Sequence, residues 1–337
     1  MPLTLSVLDL VPLVKDRSSA DALRASAELA RAVDRLGYER LWYAEHHNLP
    51  SIATTNPEIL VAHIAPQTRR IRVGAGGVML PNHAPLKVVE SYRLLHALHP
   101  GRIDLGIGRA PGTDPITALS LRRSRAAMGA EDFPDQLAEL MAYDDGGFPT
   151  GHPFSAIRAM PDDVRLPPIW LLGSSDTSSR FAAAAGLGFA FAGHFSAEPA
   201  EGPMRAYRAG FRAGPFERPH AILALAVFCA ETDAEAQKMA SSVFVTFAQL
   251  RTGRLGRMVT PEEAARYVFS PDEEVAVASF RRIVISGTPD AVRRRIVEAA
   301  ERTGADEVMI ATHAAEPSAR VRSYELIARA FGLPVSA

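Results

Sequence analysis

The chain has a single cysteine, Cys229, in 337 residues, which excludes an intrachain disulfide and any multi-cysteine metal centre. That residue lies in the apolar run Ala221–Ala230, the setting of a core side chain rather than a nucleophile. Lysine is almost missing: Lys15, Lys87 and Lys238 are the whole set, and arginine supplies the rest of the 37 basic residues. Against 38 acidic residues they leave a formal charge of −1. Neither nucleic acid nor an anionic membrane surface therefore has an electrostatic claim on this chain. No segment approaches the ~18 consecutive apolar residues of a membrane span. The apolar run from Leu3 to Val14 is broken by Asp9 and Pro12 and has no basic leader, so no export signal is read there and the cytoplasm is the expected compartment. No G-x-G-x-x-G follows the first predicted strand, where a dinucleotide fingerprint would stand. No H-x-H or H-E-x-x-H offers zinc ligands, and no metal is expected.

What the chain does have is a 47% hydrophobic content arranged in a repeating strand–turn–helix rhythm. Leu3–Leu8 reads as a strand. Ala20–Leu36 reads as an amphipathic helix with Leu23, Leu29, Ala30, Val33 and Leu36 on one stripe. Ser18 or Ser19 can cap its start, and Gly37 stands where a left-handed residue ends a helix. Further strands are predicted at Arg40–Ala44, Ile71–Leu80, Arg102–Ile107, Ile169–Leu172, Phe189–Ala192, Ala221–Cys229 and Glu307–Ile310, with helices between them. Eight strands alternating with helices favour a closed parallel sheet, an α/β protein of the (β/α)8 TIM-barrel class. Residues 1–337 read as a single domain. Strands seven and eight lie too far apart for one crossover helix, so a helical and loop insertion is expected at about 231–283.

In such barrels chemistry collects on the loops that follow the strands. Strand two delivers Glu45, His46 and His47; strand three delivers Gly74 to His83; strand four delivers Gly106 to Gly112; strand five delivers Gly173 to Ser179; strand six delivers Gly193, His194 and Phe195. Small hydroxyl residues directly before a helix can offer backbone N–H groups to an anion, and Arg109 on the neighbouring strand can supply a countercharge. The plainer alternative is that Asp176 or Thr177 caps the helix. Gly74, Gly76 and Gly77 inside a strand mark either a bulge that turns the barrel or the close approach of a flat ligand. His46 and His47 leave their strand on opposite sides, so one of the pair faces inward, where an imidazole can act as general base or hydrogen-bond donor.

These residues together resemble the bacterial-luciferase-like family of flavin-dependent monooxygenases. The likeness runs through Leu36-Gly37-Tyr38 to Trp42, Glu45-His46-His47, Asn56-Pro57, Val73-Gly74, Leu80-Pro81 and Pro100-Gly101-Arg102 to Gly108-Arg109. It resumes at Gly173-Ser174-Ser175 and at Gly287-Thr288-Pro289, and so spans nearly the whole chain. Gly108–Asp114 with Leu119–Ser124 is closest to a bacterial branch distinct from the light-emitting subunits. The resemblance implies reduced FMN (FMNH2) lying across the barrel mouth, reacting with O2 through a C4a-(hydro)peroxide to oxidise a small organic substrate. By position, Arg109, Gly173, Ser174, Ser175 and Ser178 would hold its phosphate. Gly76 and Gly77 would occupy the family's strand-three bulge, often a non-proline cis peptide, against the flavin ring. Pro111 would touch the flavin from strand four, and His46 matches the family's catalytic histidine, with His47 beside it as the second catalytic candidate. A separate flavin reductase and a homodimer through the helices around strands two and three are also implied. The segment Gln249–Arg257, within a wider region 249–272, could be a lid over the flavin or a solvated basic loop. Two other functions stay open: an F420-dependent oxidoreductase on the same fold, and a non-catalytic flavin-binding protein.

Overall fold

The structure is a computed structural model that describes residues 3–122, 132–196 and 198–335. Among these residues the strands are β1 (Thr4–Asp9), β2 (Arg40–Tyr43), β3 (Arg72–Met79), β4 (Ile103–Gly108), β5 (Ile169–Gly173), β6 (Gly188–Phe191), β7 (Ala221–Cys229), β8 (Ile285–Gly287) and β9 (Glu307–Ala311). Neighbours pair in parallel from β1 through β7, then β9 joins β7 to β1 and closes an eight-stranded barrel. The short β8 lies outside the barrel and pairs with Val227–Cys229, the end of β7 that overhangs its contact with β9. The helices run α1 (Ser19–Arg35), α2 (Pro57–Ile64), α3 (Pro85–Leu98), α4 (Pro115–Arg122), α5 (Phe133–Asp145), α6 (Asp176–Ala184), α7 (Glu201–Gly210), α8 (Asp233–Arg251), α9 (Pro261–Ala265), α10 (Pro271–Ile283), α11 (Pro289–Thr303) and α12 (Pro317–Phe331).

Local chemistry explains the boundaries. Ser18, not Ser19, caps α1: its hydroxyl accepts from the Asp21 N–H while the Asp21 carboxylate accepts from the Ser18 N–H, a reciprocal capping box. Gly37 follows with φ +83°, and a Cβ there would stand 2.6 Å from the Pro334 carbonyl, so the turn into β2 admits glycine alone without strain.

Alternation along the strands stacks the barrel interior in tiers. At the base, where the strands begin, lies a charged knot. Arg40 donates to Glu307 at 2.7 and 2.9 Å and to Asp104 at 2.9 Å, and Arg72 donates to the other Asp104 oxygen at 2.6 Å. His220 also meets Glu307 at 3.2 Å. The Arg40 guanidinium sits 4.7 Å over the Trp170 ring. Above the knot comes a tier of large side chains, Leu8, Trp42, Trp170 and Met309, and above that Leu10, Ala44, Ala190, Ala224 and Ala311. Large residues thus fill the floor, and alanines with Leu10 line the tier above it. Between β7 and β9, α8 and α10 pack on the mouth side of the barrel through Val14, Phe228, Val243, Met258, Phe280 and Ala314.

Candidate active site

Glu45 organises the mouth on one side. Its buried carboxylate accepts the Met79 N–H at 2.9 Å and the Asn82 amide at 3.3 Å, and it lies 2.9 Å from His47 Nε2 and 3.0 Å from His83 Nε2. One side chain therefore ties the loops after β2 and β3, and Asn82 extends the tie to the β4 loop by donating to the Pro111 carbonyl at 3.0 Å. Burial alone would raise the Glu45 pKa, but the hydrogen bond and charge of His83, the Met79 amide and His47 outweigh it and hold the carboxyl below its ordinary range. Burial also works against the charged form of His83, and Glu45 overcomes it, so that imidazole titrates above 6.5.

The adjacent histidines part as strand geometry requires. His47 turns to Glu45, and its backbone carbonyl accepts from Thr113 at 2.7 Å. His46 turns the other way. Its N–H is fixed on the Thr54 carbonyl at 2.8 Å, and its Nδ1 is enclosed without a hydrogen-bonding partner among the described residues. Burial pushes its pKa down to about 4, with Glu45 opposing and His47 adding to the fall. The imidazole is therefore neutral at physiological pH, the form a proton acceptor requires.

A second corner forms at β4 and β5. The register pairs Gly108 with Leu172, which sets Arg109 beside Gly173. Arg109 is half-buried and meets no hydrogen-bonding or ionic partner among the described residues. Ser175 is the N-cap residue of α6, in extended conformation, and its side chain makes no capping bond. Asp176 and Thr177 are already inside the helix, so neither serves as the cap. The first-turn N–H groups of α6 are thus left for another acceptor. Ser178 is buried on that turn, and a Cβ on Gly173 would lie 2.3 Å from its Cβ and Oγ. Glycine at 173 is what lets the end of β5 close on the helix start. Ser174 and Ser175 lie half-buried between them. An arginine without a partner among the described residues, on the strand end next to an uncapped helix start, brings together donor types that a phosphate monoester takes.

The strand-three glycines lie where β3 slips against β4: the register shifts between Ala75 and Val78, and the Gly76–Gly77 peptide is cis. A Cβ on Gly77 would stand 2.8 Å from the Gly106 carbonyl, and one on Gly76 would stand 2.9 Å from Trp42 Cβ. Neighbouring protein therefore accounts for both absent side chains, and the backbone carries a bulge there. Pro111 lies half-buried in the β4 loop. Two of the three arginines of the segment Gln249–Arg257 are engaged. Arg254 pairs with Glu273 and donates to the Tyr267 hydroxyl at 3.0 Å, while Arg257 donates to the Arg17 carbonyl and to the Val14 carbonyl at 3.4 Å. Among the described residues no group of three or more histidine, cysteine, aspartate or glutamate side chains is placed to hold a metal ion.

Sequence reasoning passes over three participants. Glu45 is legible as a strand-end residue, but the partners that make it a hub come from two other loops. His83 stands at the far end of a long glycine-rich segment. His313 lies two residues beyond β9, and only the continuation of that strand's alternation points to it.

The model of the luciferase-like monooxygenase family matches residues 5–307. YvbT of Bacillus subtilis is 41% identical over 325 residues, covering 96% of this chain and 95% of the relative. The N-acetyl-S-alkylcysteine monooxygenase of the same organism is 34% identical over 328 residues, 97% of each. The solved structure of apo-MsnO8 superposes with a TM-score of 0.88 at 37% identity, covering 99% of this chain and 100% of the other. Two more distant structures share the fold: the oxygenating constituent of 3,6-diketocamphane monooxygenase from Pseudomonas putida, solved with FMN, at 20% identity and TM-score 0.72, and an F420-dependent secondary alcohol dehydrogenase at 12% and 0.66. The chain belongs to the luciferase-like monooxygenase family.

Proposed function

We propose that this protein is an FMN-dependent monooxygenase that uses reduced flavin and O2 to oxidise a small organic substrate, with the reduced flavin delivered by a separate reductase. The observation that carries the reading is Arg109, half-buried and without a partner among the described residues, on the strand end next to the uncapped start of α6, an arrangement suited to an anion at the barrel mouth. Arg109, Gly173, Ser174, Ser175 and Ser178 would hold the phosphate. Gly76, Gly77 and Pro111 would face the ring system above the tryptophan floor. Bound reduced flavin supplies the activation of O2; the chain binds it, orients the substrate and keeps water out. His46, neutral and close to the mouth, takes or returns the proton that substrate oxidation moves, and His47 with Glu45 fixes the loop from which His46 projects.

Membership of the family and the FMN found in a structural neighbour support flavin over F420; an F420-dependent neighbour marks the alternative. A homodimer through α2 and α3 is supported by Ile59, Leu94 and Leu98, large apolar side chains left exposed on those two helices. The test mixes the protein with anaerobically reduced FMN, admits oxygen, and follows the return of oxidised-flavin absorbance. A markedly slower return than for free flavin is expected. A return as fast as in free solution, or tight binding of F420 with none of FMN, refutes the reading.

A further inference from the structure

Strand alternation continues past the last residues of two barrel strands. Along β2 the inward positions run Arg40, Trp42 and Ala44, and the next is His46. Along β6 they run from Gly188, where a Cβ would strike the Trp170 ring at 2.3 Å, to Ala190. Along β9 they run Glu307, Met309 and Ala311, and the next is His313. A period of two thus sets His46 and His313 directly above the alanine tier, and His194, carried further along its loop by the turn after β6, stands beside His313. The His194 and His313 ring centroids are 6.5 Å apart with planes at 69°. His46 lies near enough to both for a charge on its ring to disfavour one on theirs.

None of the three is committed to a structural partner. His46 Nδ1, His194 Nδ1 and both ring nitrogens of His313 are enclosed and meet no hydrogen-bonding partner among the described residues. The neighbouring histidines differ: His47 and His83 meet Glu45, and His220 meets Glu307. An enclosed N–H without an acceptor is costly, so the proton of His46 and of His194 belongs on Nε2, the nitrogen that is not enclosed. The charged groups around the trio are already matched. Glu45 is held by His47 and His83, and Arg320, beside His313, pairs with Asp9 at 2.5 Å. Burial pushes His194 and His313 down to about 3, His313 and His46 adding to the first, Arg320 and His46 to the second. The wall they form is polar and uncharged.

We propose that His46 and His194 form a hydrogen-bond-donating wall that receives an uncharged oxygen of the substrate, such as the carbonyl of an amide, ester or ketone, and that His194, positioned by the enclosed His313 ring packed against it, sets this specificity. A carboxylate would enter without a cation to meet it and would lose its hydration uncompensated. The inference rests on the reading of the mouth as the substrate site, but its test needs no turnover. Butyramide and butyrate are titrated into the full chain, with and without oxidised FMN, while the histidine side chains are followed by long-range 1H–15N correlation spectra. Neutral His46 and His194 carrying the proton on Nε2 at pH 7 are expected, with butyramide moving the trio's resonances and binding about tenfold tighter than butyrate. His194→Phe or His313→Ala should abolish that margin and leave FMN affinity unchanged. The proposal is overturned if butyrate binds as well as butyramide, if neither moves the trio, or if the margin survives both substitutions. The wild-type spectra decide the first two points even if a variant does not fold. Loss of FMN binding with the amide preference intact counts against the flavin reading alone.

Discussion

At the scale of the residue, Glu45 and His83 set opposite limits on one stabilising contact. Folded Glu45 titrates below the ordinary 4.5 of a glutamate. Its contribution is therefore complete above pH 4.5 and is lost as the pH falls through the depressed value. Folded His83 titrates above 6.5, so its contribution is complete below pH 6.5 and is lost as the pH rises through the raised value. Both act in full between 4.5 and 6.5. Glu45→Gln should cost about 2 kcal/mol in that window, and urea denaturation across the pH range should show the difference from wild type narrowing on both sides. A cost that does not vary with pH would mean that Glu45 acts through packing alone. The same residue shows what a sequence conceals. That His46 and His47 part to opposite sides follows from strand alternation, because the period is local. That His47 and His83 converge on Glu45 does not, because it depends on loops meeting across the barrel mouth.

Among the elements, the strands and most helices follow from hydrophobic period and from Gly, Pro and Ser punctuation. Ala221–Cys229 is found at its predicted bounds. β8 escapes because three residues are too few for a period to register and its sole signal is Gly287-Thr288-Pro289, which announces α11. α4 escapes although Asp114-Pro115 is a helix-start pair, an N-cap carboxylate before a first-position proline, and that carboxylate does accept the Ile116 and Thr117 N–H groups at 3.0 Å each. The segment between α8 and α9 is strapped to the loop after β1. Met258 donates to the Leu13 carbonyl at 2.9 Å and accepts from Lys15 at 3.0 Å, and Arg257 reaches the carbonyls of Val14 and Arg17. Arg257→Ala should release this strap, and hydrogen exchange should accelerate locally at residues 252–260, with little change in global stability. Unchanged exchange there would show that the apolar packing of Met258 holds the segment without the arginine.

For the whole molecule, the barrel separates stability from chemistry along its axis: a charged knot at the base, a working face at the mouth. Glu307 illustrates the first. Burial alone would raise its pKa, but Arg40, with His220 and Ser6, brings it to about 2. Its contribution is complete above 4.5 and is lost as the pH falls toward 2. Glu307→Gln should cost about 3–5 kcal/mol at neutral pH, because Arg40 is left buried without its bidentate partner; a urea midpoint near that of wild type would contradict this. The mouth illustrates the second, and its central claim is that Arg109 and the start of α6 hold a phosphate. Equilibrium titration with FMN and with riboflavin, which differ by that phosphate, tests it most directly, in wild type and in Arg109→Ala. FMN should bind wild type more tightly, and most of that preference should vanish in the variant; equal affinities in wild type, or a preference that Arg109→Ala leaves intact, would contradict the account.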